Sequence, residues 1–163
     1  MRKKYCQGFT LVEMLIYIGI LSIFMLVLAE IFHSVINVQL ESASHSFVQQ
    51  DSQFIISRLT SDVHRAENII LPASIGEEST SLQIVIDGQN HTYAPNNGDL
   101  QLTDNLGSAN LNSIETSVSN FNITRLGNPG GKNSLQINFT ITSRILQQGQ
   151  AESQNYQTVL KLR

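Results

Sequence analysis

The sequence predicts an α+β fold, a long N-terminal helix, transmembrane in its first half and amphipathic in its second, packed on an antiparallel β-sheet. Three observations predict it. Residues 9–32 are almost wholly apolar, with Glu13 and Glu30 as their only charges, and about 20 such residues suffice to cross a bilayer as a helix. Apolar residues then recur at steps near three, four and seven as far as Ile70, with no proline before Pro72. Beyond Pro72 the period falls to two, the spacing of a half-buried strand.

The elements follow in order. Residues 1–8 form a short leader that carries Arg2, Lys3 and Lys4, and basic flanks of this kind stay on the cytoplasmic side of a membrane. Residues 9–32 are the membrane half of the helix. Glu13 lies one turn inside this apolar run, where burying a carboxylate in hydrocarbon costs roughly 2.5 kcal/mol or more. With no basic neighbour in its own segment, that acid needs a partner from elsewhere. Residues 33–71 are the amphipathic half. Leu40, Phe47, Phe54, Ile55, Leu59, Val63, Ala66 and Ile70 form the expected core stripe, and Gln39, Glu41, Ser46, Gln50, Ser52, Arg58, Asp62 and Arg65 lie between them. Pro72 disfavours helical geometry at Leu71, so the helix is expected to end near Asn68 or Ile70.

Residues 72–163 supply the sheet, and the globular domain runs over about 33–163. Residues 81–86 alternate, Asp87-Gly88-Gln89-Asn90 offers a turn, and His91-Thr92-Tyr93 resumes an extended pattern, a hairpin signature. Pro95-Asn96-Asn97-Gly98 is a second turn before a strand at 99–103. Residues 119–126 and 134–142 alternate on either side of Gly127–Gly131, and 156–162 provide a last strand after a polar loop at 147–155. Residues 108–117 read equally as a connector or a short helical turn. One sheet of four to six strands is expected against the second half of the helix.

At 163 residues the chain has room for one membrane helix and one modest globular domain. Without residues 1–8, seven Lys and Arg face thirteen Asp and Glu, and a scattered acidic surface argues against a nucleic-acid grip. The one cysteine, Cys6, lies in the leader, so residues 9–163 contain no thiol to form a disulfide. No small-apolar signal precedes Cys6 to mark it for lipidation. A secretory signal peptide fits poorly, because the apolar core is too long, begins at Glu13 and ends Val27-Leu28-Ala29-Glu30.

Gly8-Phe9-Thr10-Leu11-Val12-Glu13, behind a basic leader and ahead of an apolar helix, resembles the processing site of type IV pilins and the pseudopilins of type II secretion. The resemblance is sharp over residues 1 to about 32 and architectural beyond. It implies cleavage between Gly8 and Phe9 by a prepilin peptidase, N-methylation at Phe9, and pairing of Glu13 with the N-terminal ammonium of a neighbouring subunit in a filament. The implied setting is the bacterial inner membrane, with a single pass and an extracytoplasmic C-terminal domain. The implied partners are other pilins or pseudopilins, an inner-membrane platform protein and, through it, an assembly ATPase. The proline-free helix, the missing cysteine pair and residues 54–66 look like the J-type pseudopilins and W-type minor pilins. Competence systems for DNA uptake use the same parts. The competing reading is a single-pass anchored binding or sensor protein, which explains the length and basic flank but not the coincidence of Gly8, Phe9 and Glu13.

The residues point to no catalysis and no cofactor. His33, His45, His64 and His91 lack metal-ligand spacing. Asp87, Asp99 and Asp104 near Asn96, Asn97 and Asn105 hint at calcium, but Asp and Asn also favour turns for local reasons. No nucleophile elbow occurs, and Gly127–Gly131 reads as a hairpin loop, since Lys132 is not followed by Ser or Thr. Sequons at Asn90, Asn122 and Asn138 are read as chance, two of them inside expected strands.

Overall fold

The computed structural model describes residues 9–127, 133–147 and 150–162. One helix, α1 (Leu11–Arg65), precedes β1 (Asn68–Leu71), β2 (Glu78–Ser79), β3 (Leu82–Ile86), β4 (Gln89–Asn96), β5 (Asp99–Asp104), β6 (Gly107–Asn110), β7 (Thr116–Leu126), β8 (Ser134–Gln147) and β9 (Gln150–Lys161). The α+β class is as expected: the long N-terminal helix packs against antiparallel sheet. Two compact units divide the chain between Gln39 and Leu40, within α1.

In the first unit the helix is bare. Its large apolar side chains, from Leu11 through Val38, are exposed, and the stretch is long and apolar enough to cross a membrane.

In the second unit α1 turns one face to a core. Its buried residues are Ser44, Val48, Asp51, Ser52, Ile55, Leu59, Asp62 and Val63, spaced by helical steps of about one turn. Val48, Ile55, Leu59 and Val63 join Leu82, Ile84, Tyr93 and Leu100 from one sheet and Ile123, Leu135, Ile137, Phe139 and Ile141 from another in a single cluster. The expected stripe is corrected here. Ile55, Leu59 and Val63 belong to it, but Phe54, Leu40 and Ile70 are exposed and Phe47 is half-buried. Phe54 precedes Ile55 by one residue, about 100° around the helix, and falls just outside the buried face.

The strands form two sheets rather than one. The first has the order β1-β3-β4-β5-β6 and the second β2-β7-β8-β9. The chain leaves the first sheet after Asn110 because Leu111 and Asn112 turn inward and are buried. Leu111 N–H bonds to the Leu100 carbonyl at 2.8 Å, and Asn112 Oδ1 accepts from Leu100 N–H at 2.9 Å. Residues 108–117 therefore hold the end of β6, a connector that buries Leu111 and Asn112 and closes in a turn where Thr116 N–H bonds to the Ser113 carbonyl at 3.3 Å, and the start of β7, with no helix.

Helix α1 ends at Arg65, earlier than expected. Glu67 N–H bonds to the Val85 carbonyl at 2.8 Å and Ile69 pairs with Ile84, so the β-branched Ile69 and Ile70 are used in a sheet. The turns behave as their sequences require. Asp87-Gly88 (φ 51° and 73°) and Asn97-Gly98 (φ 52° and 84°) both lie in the left-handed region, which two-residue hairpins of the primed type demand. Pro95 sits beyond the end of β3, where β4 pairs only with β5. The last strand begins at Gln150, inside the expected polar loop. Thr140 donates to Asn155 Oδ1 at 2.7 Å and Thr142 and Ser153 hydroxyls meet at 2.9 Å, so polar side chains build this ladder. Most of the expected Gly127–Gly131 turn lies outside the described residues.

The rotated stripe separates two adjacent apolar residues. Ile55→Ala should cost about 2–5 kcal/mol by opening a core cavity, and Phe54→Ala should stay within about 0.5 kcal/mol. Urea unfolding of the detergent-solubilised protein measures both; equal losses would contradict the observed phase of α1.

Candidate functional site

The site is built on the first turn of α1. Thr10 caps the helix: its hydroxyl oxygen accepts from Glu13 N–H at 3.3 Å and its carbonyl from Met14 N–H at 3.2 Å. With Glu three residues on, Thr10-x-x-Glu13 has the pattern of a capping box, a signal present in the sequence that the reading above did not use. A carboxylate in this first turn is also favoured by the positive end of the helix dipole.

Glu13 does not turn back to the cap. Tyr17 Oη donates to its Oε1 at 2.9 Å, one turn further along. The Phe9 ring meets Tyr17 edge-on, with centroids 6.0 Å apart and planes at 74°. Phe9, Glu13 and Tyr17 thus form one patch at the start of the apolar helix. Among the described residues no cation pairs with Glu13. Gly8, Arg2, Lys3 and Lys4 lie outside the described residues, so this geometry concerns only the Phe9 side of the expected cut.

Residues 3–29 match the family model of the prokaryotic N-terminal methylation motif. The match takes in Gly8, Phe9, Glu13 and the greater part of the bare helix. It supports a type IV pilin-like or pseudopilin subunit processed by a prepilin peptidase, and it implies assembly with other pilins. The family that carries the motif is structural rather than enzymatic, and the motif and the long apolar helix are consistent with a single-pass inner-membrane anchor. The comparisons with curated proteins and with solved structures found no match.

Asp87, Asp99, Asp104 and His64 are already engaged, whereas His91 Nδ1 is buried with no hydrogen-bond partner among the described residues. Asp87 takes Arg65 Nη2 at 2.8 Å, Asp99 takes Arg144 Nη2 at 2.7 Å, and Asp104 Oδ1 accepts from Leu106 and Gly107 N–H within its own turn. His64 Nδ1 lies 2.7 Å from the Thr60 carbonyl. Among the described residues no three His, Cys, Asp or Glu side chains are grouped so as to hold a metal ion.

Two buried carboxylates on α1 emerge from the structure alone. Asp51 Oδ2 accepts from Ser113 N–H at 2.9 Å, Ser113 Oγ at 2.7 Å and Thr116 Oγ1 at 2.5 Å, fixing the connector between the two sheets to the helix. Asp62, its side chain 3% exposed, takes Arg58 Nε at 2.7 Å and the buried Tyr93 hydroxyl. Their phase was the available signal, since Asp51 lies three residues after Val48 and Asp62 three after Leu59. Polar identity alone placed Asp62 on the solvent side.

Burial, reinforced by the hydrogen bond to Asp62, pushes the Tyr93 phenol well above its usual value near 10. The bond to Asp62 raises the Arg58 guanidinium. A phenol raised on folding contributes stability that is present below about pH 10 and is lost as pH climbs towards the folded value. Tyr93→Phe should therefore cost about 1–3 kcal/mol at about pH 8 by removing a donor to a buried carboxylate. The gap from wild type should narrow at about pH 11. Urea midpoints at both pH values measure it, and a pH-independent gap would contradict the proton-holding role of Tyr93.

Proposed function

We propose that this chain is a minor pilin or minor pseudopilin of a type IV pilus-like or type II secretion filament. It is made as a precursor, cut between Gly8 and Phe9, methylated at Phe9, held in the inner membrane by residues 9–32, and polymerised through that helix. The reading rests on one observation above all, an acid in the first turn of a helix whose apolar side chains are exposed among the described residues.

Lipid covers aliphatic side chains well and a carboxylate badly. A bundle of such helices covers both, because the amine freed at Phe9 of one subunit offers a cation to Glu13 of the next. In the single chain the Tyr17 hydroxyl supplies a neutral partner, and an ammonium would supply a stronger, charge-assisted one. The prepilin peptidase is then an obligatory partner, and the platform protein and its ATPase drive extraction from the membrane. The globular domain has its own core and does not draw on Glu13 for its folding.

Two substitutions separate charge from helix capping. Glu13→Gln keeps a side chain suited to the capping-box position but removes the charge, and Glu13→Ala removes both. Co-expressed with the peptidase and the companion pilins, both variants should be cleaved, membrane-bound and folded, yet absent from sheared filaments. Normal incorporation of Glu13→Gln would contradict the ammonium pairing.

A further inference from the structure

Among the described residues four strands lie at sheet edges, β1 and β6 in the first sheet and β2 and β9 in the second. Three of them are short: β1 and β6 have four residues each and β2 has two. β1 is also irregular between Ile69 and Leu71 and is followed by Pro72. Short, kinked or proline-stopped edges offer little to a further strand. β9 is different. It has twelve residues, pairs with β8 without a break from Ser153 to Lys161, and holds no proline, glycine or charge between Glu152 and Lys161.

The alternation of the ladder assigns the free main-chain groups of this edge. Leu162 N–H bonds to the Asn133 carbonyl at 3.1 Å, one rung beyond the pair Ser134 and Lys161 and in the same register. Bonded and non-bonded pairs alternate along antiparallel strands. The N–H and C=O groups of residues 154, 156, 158 and 160 therefore point to β8, and those of Ser153, Asn155, Gln157, Val159 and Lys161 point away from it. The side chains agree: Thr142 and Ser153 meet at 2.9 Å and Thr140 and Asn155 at 2.7 Å, as in non-bonded pairs, whose side chains lie closer. All five outward residues are exposed, along a straight edge of roughly 27 Å.

We propose that the outer edge of β9 pairs with the same edge of a second copy of this chain, antiparallel about a two-fold axis through Gln157. In that register Gln157 meets its own counterpart, Asn155 meets Val159 and Ser153 meets Lys161, so every outward N–H and C=O finds a partner. Moving the axis to Asn155 or Val159 leaves Lys161 or Ser153 with no counterpart within the edge. The register also keeps like charges apart, since Lys161 stands opposite Ser153 and Glu152 opposite Leu162, whereas like charges directly opposite destabilise a pair. The match of this edge to itself selects a second copy as the occupant. The pairing concerns the globular unit and does not rest on the filament reading.

The test uses the full-length chain in detergent, with Cys6→Ser to remove its one thiol and a spin label at Gln157→Cys, Ser153→Cys or Lys161→Cys in turn. The expected result is a dimer whose labels lie closest at 157, where the Cα atoms are about 5.5 Å apart, and farther apart by roughly 20 Å at 153 and 161. Two double variants at exposed positions test the register by sedimentation. Asn155→Lys with Val159→Lys sets lysines opposite each other and should weaken dimerisation at least tenfold, and Asn155→Lys with Val159→Glu sets opposite charges together and should preserve it. A monomeric wild-type chain overturns the proposal. So do equal label distances at the three positions, or a dimer that survives the double lysine change, as one held by the apolar helix alone would.

Discussion

The structure depends on a surface that cannot stay as it is in water. The first half of α1 exposes its Leu, Ile, Val, Met and Phe side chains from Leu11 to Val38, and full burial of such a side chain is worth about 1.5–3 kcal/mol. The sum over that many residues outweighs the marginal stability of an ordinary domain, so the segment requires lipid or other helices around it. Glu13 then narrows the choice. On the proposed reading it tolerates a membrane as a waiting state and meets a cation in a helix bundle; in the single chain Thr10 and Tyr17 hold it in the first turn.

The same helix solves a different problem in its second half. There the apolar residues contract to one face, and that face contains two acids. Asp51 binds the connector between the two sheets through three donors, and Asp62 binds Tyr93 of the first sheet. An aliphatic residue at either place would leave buried donors unpaired, which costs more than the hydrogen bonds themselves contribute. Helix and sheets are thus keyed at two points about three turns apart as well as packed. Among the described residues, the apolar half of α1 has no buried acid of this kind.

Much of this was legible from the residues. Gly8, Phe9 and Glu13 announce the processing motif because their chemistry is local and their spacing fixed, and the later match over residues 3–29 rests on the same short segment. The hairpins at Asp87-Gly88 and Asn97-Gly98 were equally plain, since few residue pairs accept two successive left-handed conformations. The pairing of distant strands was not. Alternation at 119–126 and 134–142 shows which side chains face a core, but nothing in it tells that β7 meets β2 instead of β6. Asp62 was misplaced because a buried acid looks like a solvated one until its partner, Tyr93, is known to lie opposite. Phe54 was misplaced for the converse reason, as an apolar residue one step out of phase.

The central claim, that the apolar helix is delivered to a filament by a cut that creates the cation Glu13 requires, is tested most directly at the N-terminus. Intact mass and N-terminal sequence of the membrane-extracted protein, expressed with and without a prepilin peptidase, decide it. The account predicts a peptidase-dependent N-terminus at Phe9 carrying one added methyl group. A chain that still begins at Met1 beside an active peptidase would contradict it and favour a permanently anchored protein.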